Sequence, residues 1–293
     1  MKKAAIIQNP ASGNRKMHEA IPEIKKQLLS KYDDVEIFET KKPGDGAALV
    51  SEYHKSFDSI IGAGGDGTVY ELVNALSQLE DRPVFGILPG GTCNDFARSL
   101  NMPFDPEGAA RTIVEGARFN IDIGKADDRF FSNFWGIGLI TTVSQEVDSE
   151  IKSSFGRLAY YLSALQNAAS GEAFRLQVSS PDGQFDGEAI LAIAGNGPYT
   201  GGMRTFFPNC STMDGKLDVL IVKNASMKAL WNLFQHRLSA EKAESDEIVY
   251  FQTRELQINT DPVLTVDTDG ERSDTTPASI HLLPSFLSVI GSK

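Results

Sequence analysis

The amino-terminal third of this chain repeats a pattern that leaves few folds open: a short apolar run, a polar loop of small residues, then a helical stripe. Residues 4–7 read as a buried strand broken by Asn9-Pro10-Ala11-Ser12-Gly13, after which Met17, Ile21, Ile24 and Leu28 recur at helical spacing. Residues 35–38 and 59–61 read as a second and a third strand. A glycine-rich loop at 62–67 follows, and Val69, Leu72, Val73, Leu76 and Leu79 line one side of a helix. Residues 84–88 form a fourth strand that ends in Pro89-Gly90-Gly91. This order predicts an α/β domain over residues 1–120 with a mainly parallel sheet, whose ligand lies beyond the carboxyl ends of the strands. All three loops fall there.

After about residue 120 the texture changes. Residues 119–123, 130–140, 174–178, 190–194, 217–222, 248–258 and 263–267 read as strands, with Pro181-Asp182-Gly183 as a turn. Apolar stripes at 155–165 and 227–234 predict two interrupting helices. The expectation is an antiparallel, sandwich-like β domain over 121–279. A chain with 41% hydrophobic residues has material for such cores. With 28 basic and 39 acidic side chains its net charge is −11, which opposes nonspecific nucleic-acid binding. Two cysteines, Cys93 and Cys210, cannot staple a fold, and the start MKKAAIIQNP is too short for a signal sequence. No apolar stretch reaches the roughly 18 residues a membrane span needs, so the expected protein is cytoplasmic and any membrane contact peripheral.

The segment Ile61-Gly62-Ala63-Gly64-Gly65-Asp66-Gly67-Thr68 carries the most chemistry. Glycines after a strand let the backbone approach a ligand, and the following helix start offers N–H groups to phosphate oxygens. Gly62, Gly64 and Gly67 also satisfy G-x-G-x-x-G, but after the third strand rather than the first, and with Asp66 where a pyrophosphate would lie. A carboxylate in a phosphate loop points instead to Mg²⁺ with a triphosphate. Taken alone, Asp66 also reads as a helix cap, and Asp95 in Gly91-Thr92-Cys93-Asn94-Asp95 as a dipole-favoured helix start.

Together, Asn9-Pro10-Ala11-Ser12-Gly13, Gly64-Gly65-Asp66-Gly67-Thr68 and Leu88-Pro89-Gly90-Gly91-Thr92-Cys93-Asn94-Asp95 resemble the bacterial diacylglycerol kinase family, whose fold is shared with sphingosine kinases. The resemblance continues through Gly201-Gly202-Met203, Pro208, Ser211-Thr212-Met213-Asp214-Gly215-Lys216-Leu217-Asp218 and Asp267-Thr268-Asp269-Gly270-Glu271. The Gly-Gly-Asp-Gly-Thr stretch is shared with NAD kinases and phosphofructokinases, so the first domain resembles theirs. The resemblance implies an ATP-dependent lipid kinase acting on a lipid alcohol, foremost diacylglycerol, to give phosphatidate. ATP would be held by Asn9, Pro10, Ala11, Ser12, Gly13, Thr40, Gly64, Gly65, Asp66, Gly67, Thr68, Val69, Tyr70, Glu71, Gly91, Thr92 and Asn94. Asp66 and Asp95 would support the Mg²⁺-nucleotide, and Glu271 would take the proton from the lipid hydroxyl. Ser211, Asp214 and Lys216 match a structural Mg²⁺ site. There Asp214 would give its carboxylate, and Ser211 and Lys216 their backbone carbonyls, since an ammonium cannot ligate a cation. The resemblance places the active site in a cleft between the domains and returns the last segment, 280–293, to the first domain.

Several features depart from the pattern or stay open. Tyr70 stands where many relatives carry Asn, and Glu271 by itself would read as an exposed turn carboxylate. Asp267, Asp269 and Gly270 do not make a calcium loop, because residue 265 is Thr and no acid closes the frame. Tyr199, Met203, Phe206 and Phe207 suit either a lipid entrance or the β-domain core, with Arg204 as the nearby charge. The competing readings are a soluble-substrate kinase of the NAD kinase type, a dinucleotide-dependent oxidoreductase and a non-catalytic lipid-binding protein. The oligomeric state stays open, a homodimer among its options.

Overall fold

The computed structural model describes residues 1–11, 15–141, 173–204, 207, 210–224 and 246–292, side chains at 15, 16 and 273 excepted. The helices expected at 155–165 and 227–234 lie outside the described residues. Contacts divide the chain into two units, Met1–Ile123 with Pro284–Lys293, and Gly124–Leu283.

The first unit contains β1 (Lys3–Gln8), α1 (Arg15–Leu28), β2 (Asp34–Glu39), α2 (Asp45–Tyr53), β3 (Ser59–Gly64), α3 (Asp66–Ser77) and β4 (Val84–Pro89). The short α4 (Asp95–Ser99), α5 (Pro106–Glu115) and most of β5 (Ala117–Ala126) follow. Its sheet runs β2-β1-β3-β4 with every neighbouring pair parallel. β3 and β4 are buried along their whole length, as expected of parallel strands covered on both faces. Met17, Ile21, Ile24 and Leu28 are at most 2% exposed, so α1 buries the stripe that its spacing predicts, at about 1.5–3 kcal/mol per side chain. Helix α5 starts with Asp105 accepting the Gly108 N–H at 2.7 Å and with Pro106 in the first turn, a common helix start.

The second unit contains β6 (Arg129–Phe131), β7 (Phe134–Gly138), β8 (Phe174–Ser179), β9 (Gln184–Ala189), β10 (Leu191–Gly195), β11 (Tyr199–Thr200) and β12 (Met203–Arg204). It continues with β13 (Leu217–Val222), β14 (Ile248–Thr253), β15 (Glu255–Asp261), β16 (Thr265–Thr268), β17 (Glu271–Thr275) and the start of β18 (Ala278–Gly291), whose residues from Pro284 onward belong to the first unit. One antiparallel sheet runs β14-β13-β10-β7-β16-β17, and a second set runs β9-β8-β15-β18. Trp135, Ile137, Val219 and Ile221 from the first, with Leu176, Val178, Leu256 and Ile280 from the second, form one core between them. The other face of the six-stranded sheet buries Phe134, Ile193, Phe207, Cys210, Leu220 and Ile248. This is a sandwich, as the texture of the sequence predicts.

Two runs expected as single strands are divided. The 248–258 run passes from the six-stranded sheet into the other at Arg254, whose carbonyl accepts the Leu282 N–H at 2.8 Å. A strand that changes sheets keeps its apolar pattern, so the corner leaves no mark in composition. The 130–140 run breaks at Ser132-Asn133, between β6 and β7.

Candidate active site

In the first unit the carboxyl ends of β1, β2, β3 and β4 bring the expected loops together. Gly90 N–H donates to the Gly64 carbonyl at 2.7 Å, drawing the β3–α3 and β4–α4 turns side by side. A Cβ on Gly91 would lie 2.6 Å from the Gly65 Cα and 2.9 Å from Asn94 Oδ1. Gly91 therefore needs glycine, because backbone meets backbone, and a Cβ on Gly65 would in turn press the Gly91 Cα at 3.1 Å. Asn94 takes a left-handed conformation with φ 52, and its Oδ1 accepts the Gly91 N–H at 2.8 Å while its Nδ2 donates to the Gly91 carbonyl at 2.8 Å.

Asp66 opens α3 and turns its carboxylate onto the next loop. One oxygen accepts the Asn94 N–H at 2.8 Å and the other the Asp95 N–H at 2.7 Å. It therefore ties the start of α4 to the start of α3. Asp95 is buried on the first turn of α4. On the β1 side, Asn9 Nδ2 donates to Thr68 Oγ1 at 3.3 Å and Asn9 Oδ1 accepts the Ala11 N–H at 3.0 Å. The Thr40 N–H and hydroxyl both donate to the Gln8 carbonyl.

The remaining expected ATP-site residues are more scattered in role. Pro10, Ala11, Gly67 and Thr92 are exposed, and Ser12 and Gly13 lie outside the described residues. Val69 packs in the core. Glu71 faces α2, where its Oε1 accepts the Ala47 N–H at 2.9 Å, and Tyr70 is half-buried with its carbonyl accepting Asn74 Nδ2. Gly64, Gly65, Asp66, Thr68, Gly91 and Asn94 thus form the joined part of the constellation, with Asn9 attached through Thr68. Arg98, not singled out by the sequence reading, donates through Nε to the Cys93 carbonyl at 2.7 Å and stacks 4.4 Å over Phe104.

In the second unit, β16 and β17 form a hairpin whose two turn residues are Asp269, with φ 52, and Gly270, with φ 91. Asp-Gly with two positive φ angles is the hairpin turn that matches strand twist. It makes Glu271, paired with Thr268, the first residue after the tip, where it is exposed. The buried Asp267 accepts the Gly270 N–H at 2.8 Å and faces Arg272 at 3.8 Å. The Asp269 carboxylate turns inward and accepts from Ser132 N–H and Oγ and from the Asn133 and Phe134 N–H groups, at 2.7 to 3.0 Å. Burial pushes this carboxyl up to about 6, against the four donors that pull it down. The sequence reading missed Ser132, Asn133 and the carboxylate's destination; nothing in residues 132–134 marks them as partners of a turn 137 positions away.

Ser211, Asp214 and Lys216 occupy one loop ahead of β13. Gly215 bends it with φ 71, Asp214 Oδ1 accepts the Lys216 N–H at 3.0 Å, and Lys216 Nζ reaches Gln252 at 3.2 Å. The donor set expected there is oxygen throughout with a single carboxylate. That fits a Mg²⁺ that keeps several waters and takes Asp214 and backbone carbonyls from the protein. Beneath the loop, the fully buried Asp218 accepts from the Tyr250 hydroxyl and from Gln252 Nε2. Burial raises Asp218, and burial together with Asp218 raises Tyr250 and holds the Cys210 thiol well above its usual range, so this thiol is no nucleophile. Strand registers put this loop and the Asp269-Gly270 tip at the same end of the six-stranded sheet. With β10 and β7 between β13 and the β16–β17 pair, they stand three to four strand spacings apart, roughly 14–19 Å along the sheet. Phe207 belongs to the core, Tyr199 and Met203 are partly exposed, and Phe206 lies outside the described residues.

Comparison with known proteins matches residues 3–126 to the diacylglycerol kinase catalytic domain and residues 136–291 to the YegS C-terminal NAD kinase beta sandwich-like domain. A diacylglycerol kinase of Staphylococcus aureus (strain MRSA252) is 32% identical over 98% of this chain and 92% of its own length. One from Staphylococcus epidermidis is 31% identical over 100% of this chain and 93% of its own. A crystal structure of a diacylglycerol kinase from Bacillus anthracis str. Sterne superposes with a TM-score of 0.82 at 32% identity, covering 99% of this chain and 97% of that one. A second structure from that organism reaches a TM-score of 0.89 at 36% identity with the same coverage.

Proposed function

This chain belongs to the diacylglycerol kinase family, and on that premise we propose that it transfers the γ-phosphate of Mg-ATP to the hydroxyl of diacylglycerol, giving phosphatidate. The observation that carries the reading is the near-contact of Gly65 and Gly91, where two strand-end turns press backbone to backbone and a side chain on either would fill the space. Such a cradle offers N–H groups and the start of α3 to phosphate oxygens, which is the positioning that phosphoryl transfer needs. Asp66 keeps the second turn in place, and Asp95 stands beside it for the metal-bearing nucleotide. Mg²⁺ bound with the nucleotide would neutralise phosphate charge. Glu271 takes the hydroxyl proton as the lipid oxygen bonds to Pγ and the bond from Pγ to the β-phosphate oxygen breaks, leaving ADP. The 211–216 loop would hold a second Mg²⁺ with a structural task only.

A lipid hydroxyl is met at a membrane surface, so the reading includes a cytoplasmic protein in peripheral contact with that surface. No helix among the described residues is long and apolar enough to cross a membrane. The test supplies ATP labelled in its terminal phosphate and Mg²⁺ with diacylglycerol, undecaprenol, a sphingoid base and a set of soluble alcohols. Label extracted with diacylglycerol is the expected result; label in a soluble metabolite alone, or in no acceptor, would overturn the assignment.

A further inference from the structure

The Asp269-Gly270 turn needs no help from outside to form, because Asp-Gly already favours the two positive φ angles that the hairpin uses. Its carboxylate nevertheless reaches across to the connection between β6 and β7 and takes four donors there, three of them backbone N–H groups. The Asp269 N–H adds a return bond to the Phe134 carbonyl at 3.1 Å. The anchor on the far side is itself held. Asn196, with no exposed surface, donates from Nδ2 to the Ser132 carbonyl at 2.8 Å. The Asn196 and Gly197 N–H groups donate to the Asn133 carbonyl at 2.7 and 2.9 Å. Gly197 must be small, since a Cβ there would lie 2.9 Å from Asn133 Oδ1. A carboxylate buried in this way has lost solvation, a cost without purpose for a turn that could stand in water.

We infer that Asp269 is a positioning residue: by clamping the tip of the β16–β17 hairpin to the rigid 132–134 backbone, it fixes where Glu271 presents its carboxylate. Glu271 is two residues further on, on the strand that leaves the tip, and Asp267 tightens the same turn by holding the Gly270 N–H. A base displaced by about 1 Å loses on the order of a hundredfold in rate, so a clamp of this kind governs turnover rather than nucleotide affinity.

The inference rests on the proposed role of Glu271, and the experiment separates the two. Asp269→Asn keeps the turn, because Asn-Gly favours the same φ angles, but it puts an amide N–H₂ against the 132–134 N–H donors. The expected result is a kcat lowered about ten- to a hundredfold, with MgATP affinity within twofold of the parent. Ser132→Ala, which removes one of the four bonds, lowers kcat by a smaller factor and serves as the deciding variant should Asp269→Asn fold poorly. In a Glu271→Gln background, Asp269→Asn costs nothing more, because it acts through the missing base. Unchanged kcat in both Asp269→Asn and Ser132→Ala overturns the inference, as does a loss of MgATP binding equal to the loss of kcat, or full additivity in the double variant. If Glu271→Gln alone turns over like the parent, the base assignment itself fails instead.

Discussion

Asp66 and Asp269 both spend their oxygens on backbone N–H groups of a neighbouring loop, and they differ in what that arrangement costs. Asp66 is half-buried and caps the start of α4, where a carboxylate is favoured by the helix end as well as by its two bonds. Asp269 is turned inward, and desolvation outweighs its donors, so that its carboxyl rises from 3.8 to about 6. The sign of the consequence follows from linkage. Between pH 3.8 and about 6 the folded chain holds a proton on this group that the unfolded chain has released. Stability from Asp269 is therefore fully present below the lower value and is lost as pH rises through the upper one. Thermal or denaturant unfolding of the parent and of Asp269→Asn, compared from pH 4 to 7, should show the parent losing on the order of 2–3 kcal/mol relative to the variant as pH rises. A constant difference across that range would mean that burial does not dominate.

The elements show the same division between local and distant causes. The strand-end glycine loops are legible in the sequence because glycine has a mechanical meaning there, and the structure brings two of them within contact at Gly65 and Gly91. Gly91→Ala is expected to weaken MgATP binding at least tenfold by forcing the two turns apart, measured by calorimetry or by ligand-induced protection against melting. Gly86→Ala on β4 is the control, since the nearest atom to its new Cβ is Ile61 Cγ1 at 3.5 Å and binding should stay within twofold. Equal affinity in both variants would remove the cradle from nucleotide binding. Other elements were not legible. Helix α5 buries mostly small residues, Ala109 and Ala110 beside Ile113, so its stripe is faint although Asp105-Pro106 marks its start. Strand β9 is a weakly apolar edge with Gly187 inside it, and α2 takes its N-terminal bond from Glu71 on α3 rather than from a cap of its own. The partners of Asp269 were hidden for the same reason: a clamp between residues 137 positions apart depends on which strands become neighbours, and no local pattern records that.

Over the whole molecule, each unit has its own core, yet the first is completed by the last residues of the chain. Val289 on β18 pairs in parallel with Phe85 on β4, and Leu287, Val289 and Ile290 are at most 2% exposed. The Ser285 N–H donates to Asp122 at 2.7 Å, the Ser292 N–H to the Leu100 carbonyl at 3.1 Å, and the Arg82 guanidinium stacks 3.8 Å from the Phe286 ring. Removing Pro284–Lys293 would take away three buried aliphatic side chains, whose burial is worth roughly 5–9 kcal/mol, about the entire stability of a domain of this size. A chain ending at Leu283 should therefore lose MgATP binding, although every residue of the nucleotide cradle is still present, while the parent binds. Calorimetric titration of both with MgATP decides this, with Arg118→Ala as a mild comparison that gives up only the bond to Ser288 Oγ at 2.8 Å. A shortened chain that bound MgATP within threefold of the parent would show that β1 to β4 fold without their fifth strand. The return of the chain end would then be an ornament to the nucleotide site rather than a condition for it.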